Sequence, residues 1–356
     1  MIAVQVCANS DTRATKSSIG ILMLRGTCIR MLAAIGAARA LVLPRHAGRV
    51  ARLVRSTRRH AATETERGAP KLPKGSFRPK QSLGQNYLQD PNYAAKIVDA
   101  LQCDSENGKR VVELGPGLGA LTKLLSVEYP EMLAVEIDGR AIPLLRERYP
   151  EPITILEGDV LAVDYTALAE ARGGKLSIIG NLPYYITSQI LFCLCDHHAS
   201  VKRAVVTMQW EVAQRLVAKP RTRDYGILSV VFQLYATPKV ACKIPNTAFY
   251  PVPKVTSALV VVEFPEERDL FPVQPSKLRT VLNTAFRQRR KMLRQSLKSI
   301  LNGQVLPEEF ATRRPEELAP PEFLELTKAI FGADPEAPES SGEAVWRTQK
   351  LRDSWE

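Results

Sequence analysis

Val111-Val112-Glu113-Leu114 runs directly into Gly115-Pro116-Gly117-Leu118-Gly119-Ala120. A short β-branched run ended by closely spaced glycines reads as a buried strand, a tight turn and a helix start. Such glycines let the backbone approach a ligand closely, with a helix amino terminus behind it. A helix over 120–127 then leads to a second strand, Met132–Ile137, whose end carries Glu136 and Asp138. Glu136 lies 21 residues after Gly115, where an acid can grip ribose hydroxyls. Two cofactors suit this unit. Gly115, Gly117 and Ala120 satisfy the G/A form of the dinucleotide fingerprint. The same glycines with an acid closing the second strand equally suit S-adenosylmethionine, and the glycines do not choose between them. A third strand, Ile153–Leu156, ends in Glu157-Gly158-Asp159. Asp159 can accept from an adenine amine, or it can cap the turn that follows.

The fourth apolar run, residues 176–180, ends in Asn181-Leu182-Pro183-Tyr184. Open α/β sheets bind their ligands at strand carboxyl ends, which is where this tetrapeptide falls. Asparagine supplies a carbonyl acceptor and an amide donor, proline removes an N–H, and tyrosine offers a flat face on which a base can stack. Together they can hold an exocyclic amine and the ring that bears it, although an ordinary strand-to-helix turn would use similar residues.

A helix over 188–195, a strand over 204–208 and a helix over 210–218 come next. Three further strands are expected over 227–235, 239–244 and 255–264, with Thr237-Pro238 as a turn. Alternating strands and helices that finish in an antiparallel hairpin describe an α/β fold with a mostly parallel, doubly wound sheet. Between the last two strands, Phe249-Tyr250-Pro251-Val252-Pro253 is held extended by its prolines. Phe249 is then either a second stacking face opposite Tyr184 or a packing residue. Upstream, Gln85 and Asn86 precede a helix over 92–101 and are placed to cover a pocket. Beyond Pro272 the pattern turns helical. Residues 277–300 carry eight Lys and Arg and no acid, among them Arg287, Arg289, Arg290, Lys291 and Arg294. An unopposed basic helix with a buried apolar side reads as a phosphate-backbone contact. Shorter helices are expected over 307–311 and 321–331.

The formal charge of the chain is +12, but residues 1–62 hold ten Arg and one Lys against Asp11, leaving about +2 for the rest. Whole-chain charge is therefore poor support for a nucleic-acid partner. The Arg-, Ala- and Leu-rich leader looks like an amphipathic organelle transit peptide, mitochondrial first and plastid second, with an RNA-binding arm as the alternative. It lacks the roughly 18–20 unbroken apolar residues of a membrane-spanning helix, so no membrane anchor is expected. Residues 63–80 read as a linker running into a basic arm of Lys71, Lys74, Arg78 and Lys80. Residues 333–356, rich in Pro, Glu and Ser, read as a disordered tail. The six cysteines show no disulfide-framework spacing. Cys193-Leu194-Cys195 with His197 and His198 lacks the spacing and second ligand pair of a zinc site, and no metal is expected.

From about residue 78 to 331 the chain resembles the ribosomal RNA adenine dimethylases. The resemblance rests on QSLGQNYL, VELGPGLGALT, AVEID, EGDVL, GNLPYYIT, FYPVPKVTSA and FRQRRKMLRQSL, in that order. It implies a Rossmann-like S-adenosylmethionine-dependent methyltransferase domain over 76–270, a small helical RNA-binding domain over 271–332, and dimethylation of two adjacent adenosines near the 3′ end of small-subunit rRNA. By motif, Gln85, Asn86, Leu88 and Gly115 would cover the cofactor, Glu136 would hold its ribose and Asp159 its adenine. Asn181 would bridge cofactor and substrate, and Tyr184 and Phe249 would sandwich the base. The Asn181 oxygen and the Leu182 or Pro183 carbonyl would accept the two amine hydrogens. A monomer acting on the small ribosomal subunit is expected. The rival readings are a NAD-dependent oxidoreductase, a non-catalytic ribosome-assembly or organelle transcription factor, and a large-subunit methylase of the erythromycin-resistance type.

Overall fold

The computed structural model of the protein describes residues 84–337 and 341–347. The expected transit peptide, linker and basic arm lie outside the described residues, as do residues 348–356 of the tail.

After a two-residue strand β1 (Tyr87–Leu88) and helix α1 (Pro91–Leu101), the chain alternates: β2 (Val111–Leu114), α2 (Thr122–Glu128), β3 (Leu133–Glu136), α3 (Ala141–Arg148), β4 (Thr154–Glu157), α4 (Tyr165–Ala171), β5 (Leu176–Asn181), α5 (Thr187–Asp196), β6 (Val201–Gln209) and α6 (Trp210–Leu216). Then come α7 (Ile227–Tyr235), β7 (Thr237–Ile244), β8 (Phe249–Tyr250) and β9 (Ser257–Glu263). The sheet order is β4-β3-β2-β5-β6-β9-β7. The first five strands of that order run parallel, whereas β9 is antiparallel to both β6 and β7. Chain order reverses direction between β2 and β5, the switch point at which such sheets open a crevice. The two strands lie close: a Cβ on Gly180 would sit 2.6 Å from the Leu114 carbonyl oxygen, so only glycine fits there.

Residues 227–235 form a helix, not the strand expected of them. Seven of its nine residues are buried, and Val230, Val231, Phe232 and Tyr235 are strand-favouring types whose local preference the surrounding packing overrides. Ser229 accepts from the Gly226 N–H and closes its first turn. Thr237 and Pro238 begin β7 rather than forming a turn. β7 is an edge strand paired only with β9, where a missing N–H is tolerated.

The basic stretch is not one helix. It divides into α8 (Pro275–Arg287), α9 (Leu293–Ser296) and α10 (Lys298–Leu301), followed by α11 (Glu308–Ala311) and α12 (Pro320–Phe331). Leu278, Val281, Leu282, Phe323 and Leu326 of these helices share one apolar cluster with Val112, Ile178 and Val206 of the sheet. α1, α2 and α3 cover a second cluster, on Val111, Ala134, Ile179 and Val205.

Residues 333–337 and 341–347 of the tail are docked, contrary to its composition. Asp334 N–H donates to the Pro272 carbonyl, and the Glu336 carboxylate accepts from Arg268 at 2.7 Å and from Phe271 N–H at 3.1 Å. Trp346 is 2% exposed. A proline- and glutamate-rich average conceals one aromatic anchor.

Candidate active site

The carboxyl ends of β2, β3 and β5 open into a cavity of about 820 Å³. Ligand sites commonly span about 300–1,000 Å³. Gln85, Asn86, Leu88, Gly115, Glu136, Asp159, Asn181 and Tyr184 all line it.

Gly115 has φ +63°, and a Cβ there would project into open space. The turn therefore presents bare backbone to the cavity. Glu136 caps β3: one carboxylate oxygen accepts from Gly117 N–H at 2.8 Å, the other from Ile137 and Asp138 N–H at 2.9 and 2.8 Å. Of about four acceptor positions on a carboxylate, one is left for a hydroxyl. Burial raises its pKa, and those three donors oppose the rise. Asp138 next to it is committed elsewhere. Arg140 grips it with two nitrogens and Gln85 Nε2 donates to it at 2.9 Å, which holds its pKa down to about 2. Gln85 thus pins the amino-terminal segment across the turn. Asp159 accepts from Leu161 N–H at 2.9 Å, the capping bond, and remains exposed at the cavity edge.

Asn181 is fixed through both ends of its amide. Its Nδ2 donates to the Asn86 carbonyl at 2.8 Å, and its Oδ1 accepts from the Thr207 hydroxyl. A carbonyl can only accept, so the Asn86 bond settles which end is nitrogen. Oδ1 keeps a second lone pair. The Tyr184 hydroxyl lies 2.6 Å from Ser257 Oγ, which holds the ring in place. The Pro183 carbonyl already accepts from Thr187 Oγ1 at 2.9 Å and Ile186 N–H at 3.3 Å, which leaves the Leu182 carbonyl for a substrate amine.

Phe249 is not a face of this cavity. It is 1% exposed and sits in the apolar cluster with Leu88 and Leu259. β8 pairs with β1, Leu88 opposite Phe249, and that pairing carries the ring into the core. The aromatic residues lining the cavity with Tyr184 are Tyr87 and Tyr185, the latter 42% exposed.

Sequence reasoning missed Glu113, Ile137, Thr207 and Ser257. Glu113 is buried beneath the glycine turn and lines the cavity; an acid inside an apolar strand was the available signal. Ile137 lines the cavity and is 54% exposed, an apolar wall for a flat ring. Thr207 sits in a valine-rich strand and gives no such signal.

The basic residues separate into two groups. Arg287, Arg290, Lys291 and Arg294 are exposed. Arg289 instead pairs with Glu316 at 2.8 Å and donates to the Thr222 and Arg223 carbonyls, so it braces the 222–223 loop. Lys277 likewise meets Asp334 at 2.8 Å. Cys193 and Cys195 are buried on α5, and burial pushes the Cys193 thiol up to about 11. No group of three or more His, Cys, Asp or Glu that could hold a metal occurs among the described residues. No helix among them is long and apolar enough to cross a membrane.

A sheet parallel except for one reversed strand, β9, next to its edge, a bare glycine turn, and acids at two successive strand ends define a Rossmann-like S-adenosylmethionine-dependent methyltransferase. The family model for ribosomal RNA adenine dimethylase matches residues 76–314, and the chain belongs to that family. It is 45% identical over 262 residues to ribosomal RNA small subunit methyltransferase A of Salinibacter ruber, covering 73% of this chain and 88% of that one. Among solved structures it resembles a dimethyladenosine transferase from Plasmodium falciparum, with TM-score 0.56 and 25% identity, over 67% of this chain and 95% of the other. It shares its fold with the 23S rRNA methyltransferase ErmE, with TM-score 0.50 and 22% identity, over 69% and 99% of the two chains.

Proposed function

We propose that the protein transfers methyl groups from S-adenosylmethionine to the N6 amines of two adjacent adenosines in the 3′-terminal hairpin of small-subunit rRNA, as a step in ribosome biogenesis. One observation carries this: Asn181, with its amide orientation locked, lines the same cavity as Glu136 and Asp159. The cofactor supplies an electrophilic methyl group on a sulfonium; Glu136 would hold its ribose, Asp159 its adenine, and Gly115 would lie along its methionine end. The target adenine leaves its stack at a cost of a few kcal/mol, and stacking on Tyr184 returns about 1–3 kcal/mol. Asn181 Oδ1 and the Leu182 carbonyl would accept the two amine hydrogens and so orient the nitrogen lone pair for methyl transfer. The amine would take the methyl group that the cofactor supplies and release one proton to solvent. Positioning, with no strong base, carries the rate.

Asn181→Ala is expected to abolish incorporation of labelled methyl groups into small-subunit rRNA while folding and RNA binding persist. Normal incorporation by the purified variant would refute the assignment. For the leader we propose mitochondrial targeting by residues 1–75, supported by its arginines and its dearth of acids. Imaging a fluorescent protein fused behind those residues tests this, and plastid or cytosolic signal would overturn it.

A further inference from the structure

Residues 341–347 lie beyond the stretch that matches the family, yet they reach the cofactor cavity. Their anchor is the buried Asp196 at the end of α5. Gly342 N–H donates to the Asp196 carbonyl at 2.6 Å. The N–H groups of Val345, Trp346 and Arg347 converge on the Asp196 carboxylate at 3.1, 2.8 and 3.1 Å. Three backbone donors on one buried carboxylate make a strong, charge-assisted clamp. The Trp346 ring stacks against Phe192, centroids 6.3 Å apart, and its indole N–H donates to the Tyr235 hydroxyl at 3.2 Å. Arg279 donates to the Val345 carbonyl at 2.6 Å. This strap is therefore held by main chain, aromatic packing and a buried charge together.

Two of its residues, Ala344 and Arg347, form part of the cavity wall. The Arg347 guanidinium donates to the Leu161 carbonyl and lies 3.2 Å from Cys193 Sγ. Leu161 N–H is in turn bonded to Asp159, so Arg347 secures the loop that carries the cavity's second acid. The cavity keeps about 820 Å³ with the strap in place, so the strap is a wall and not a plug.

We propose that the carboxyl-terminal strap belongs to the cofactor site, with Asp196 and Trp346 anchoring it so that Arg347 closes the adenosine end of the S-adenosylmethionine pocket and positions the Asp159 loop. This rests on the methyltransferase reading above. Arg347 acts as a positioning residue. Its planar guanidinium suits the role because it can hold a carbonyl at its edge while offering a face to a flat ring.

The test uses the full chain, Arg347→Ala, and a chain ending at residue 337, with isothermal titration of S-adenosylmethionine and of 5′-methylthioadenosine, which lacks the methionine end. Arg347→Ala is expected to weaken both ligands about five- to tenfold, the loss of one hydrogen-bonded wall contact. The shortened chain should lose more. With rRNA substrate, the KM for S-adenosylmethionine should rise while kcat stays within about twofold, a split that general destabilisation would not produce. Should the shortened chain fail to fold, Arg347→Ala decides, because its main-chain anchor on Asp196 is intact. Unchanged affinity in Arg347→Ala, or a loss for S-adenosylmethionine with none for methylthioadenosine, overturns the proposal. A full chain that binds no S-adenosylmethionine would instead overturn the methyltransferase reading itself.

Discussion

Glu113 offers a quantitative test of the site's electrostatics. It lies in the central strand β2, 1% exposed, with the Thr122 hydroxyl donating to its carboxylate at 2.7 Å. Burial pushes its carboxyl up to about 8, and the nearby Glu136 charge adds to the rise. The unfolded chain ionises this group near 4.5, so the folded protein must keep a proton that the unfolded one releases. Because the folded value is the higher, stability is complete below about 4.5 and is lost as pH climbs from there to about 8. At about 1.36 kcal/mol per pH unit, the loss reaches about 1 kcal/mol at pH 5 and about 4 kcal/mol at pH 7.5.

Glu113→Gln keeps an oxygen to accept from Thr122 and removes the titration. Any constant cost of the extra amide hydrogen cancels when the two proteins are compared at two pH values, as do titrating groups not coupled to Glu113; the coupled Glu136 is part of what the comparison reads. The variant should therefore gain about 3 kcal/mol on the parent between pH 5 and pH 7.5. For a domain of this size that is a relative rise of about 6–12 °C in Tm. Denaturant or thermal unfolding of both proteins at the two pH values measures it. Parallel pH–stability curves would refute a buried, protonated Glu113.

Phe249→Ala should lower stability by about 3–5 kcal/mol, as expected for a buried aromatic, and an unchanged unfolding midpoint would mean that the ring is not core. Replacing Arg287, Arg290 and Arg294 together by Ala should weaken rRNA binding and flatten the slope of log K against log salt by about 2–3, one phosphate contact each. Arg289→Ala should instead leave that slope in place and destabilise the fold, because Arg289 spends its donors on Glu316 and the 222–223 loop. A slope unaffected by the triple substitution would remove the basic stretch from the RNA-binding surface.

What the chain order revealed and what it hid divide along a physical line. The parallel strands were legible because each is a short apolar run punctuated by glycine, proline or an acid, and those punctuating residues, Gly115, Glu136, Asp159 and Asn181, are the ones that meet at the cavity. Local pattern and ligand chemistry coincide there, since α/β crevices form at strand carboxyl ends. Elsewhere the local pattern was silent or misleading. Ile227–Tyr235 is short, nearly all buried and rich in β-branched and aromatic residues, so its local composition points to a strand while tertiary packing makes it a helix. The break between α8 and α9 has no glycine or proline to announce it. In the tail, one tryptophan and one distant aspartate outweigh a disordered composition, since Asp196 and the N–H groups it accepts are about 150 residues apart.

The same distance explains why the chemistry of Asn181 could be named but not oriented. Its amide is set by the Asn86 carbonyl on one side and the Thr207 hydroxyl on the other, partners 95 and 26 residues away. A motif specifies which functional group stands at the end of a strand; long-range hydrogen bonds decide which way it faces. A free asparagine side chain could turn either end of its amide toward the cavity. Here the carbonyl of Asn86 accepts only, so Nδ2 must face it and Oδ1 retains a lone pair for a substrate N–H. Acceptance of an amine hydrogen by Asn181 thus depends on the amino-terminal segment being closed over the cavity, where Gln85, bound to Asp138, and the β1–β8 pairing hold it.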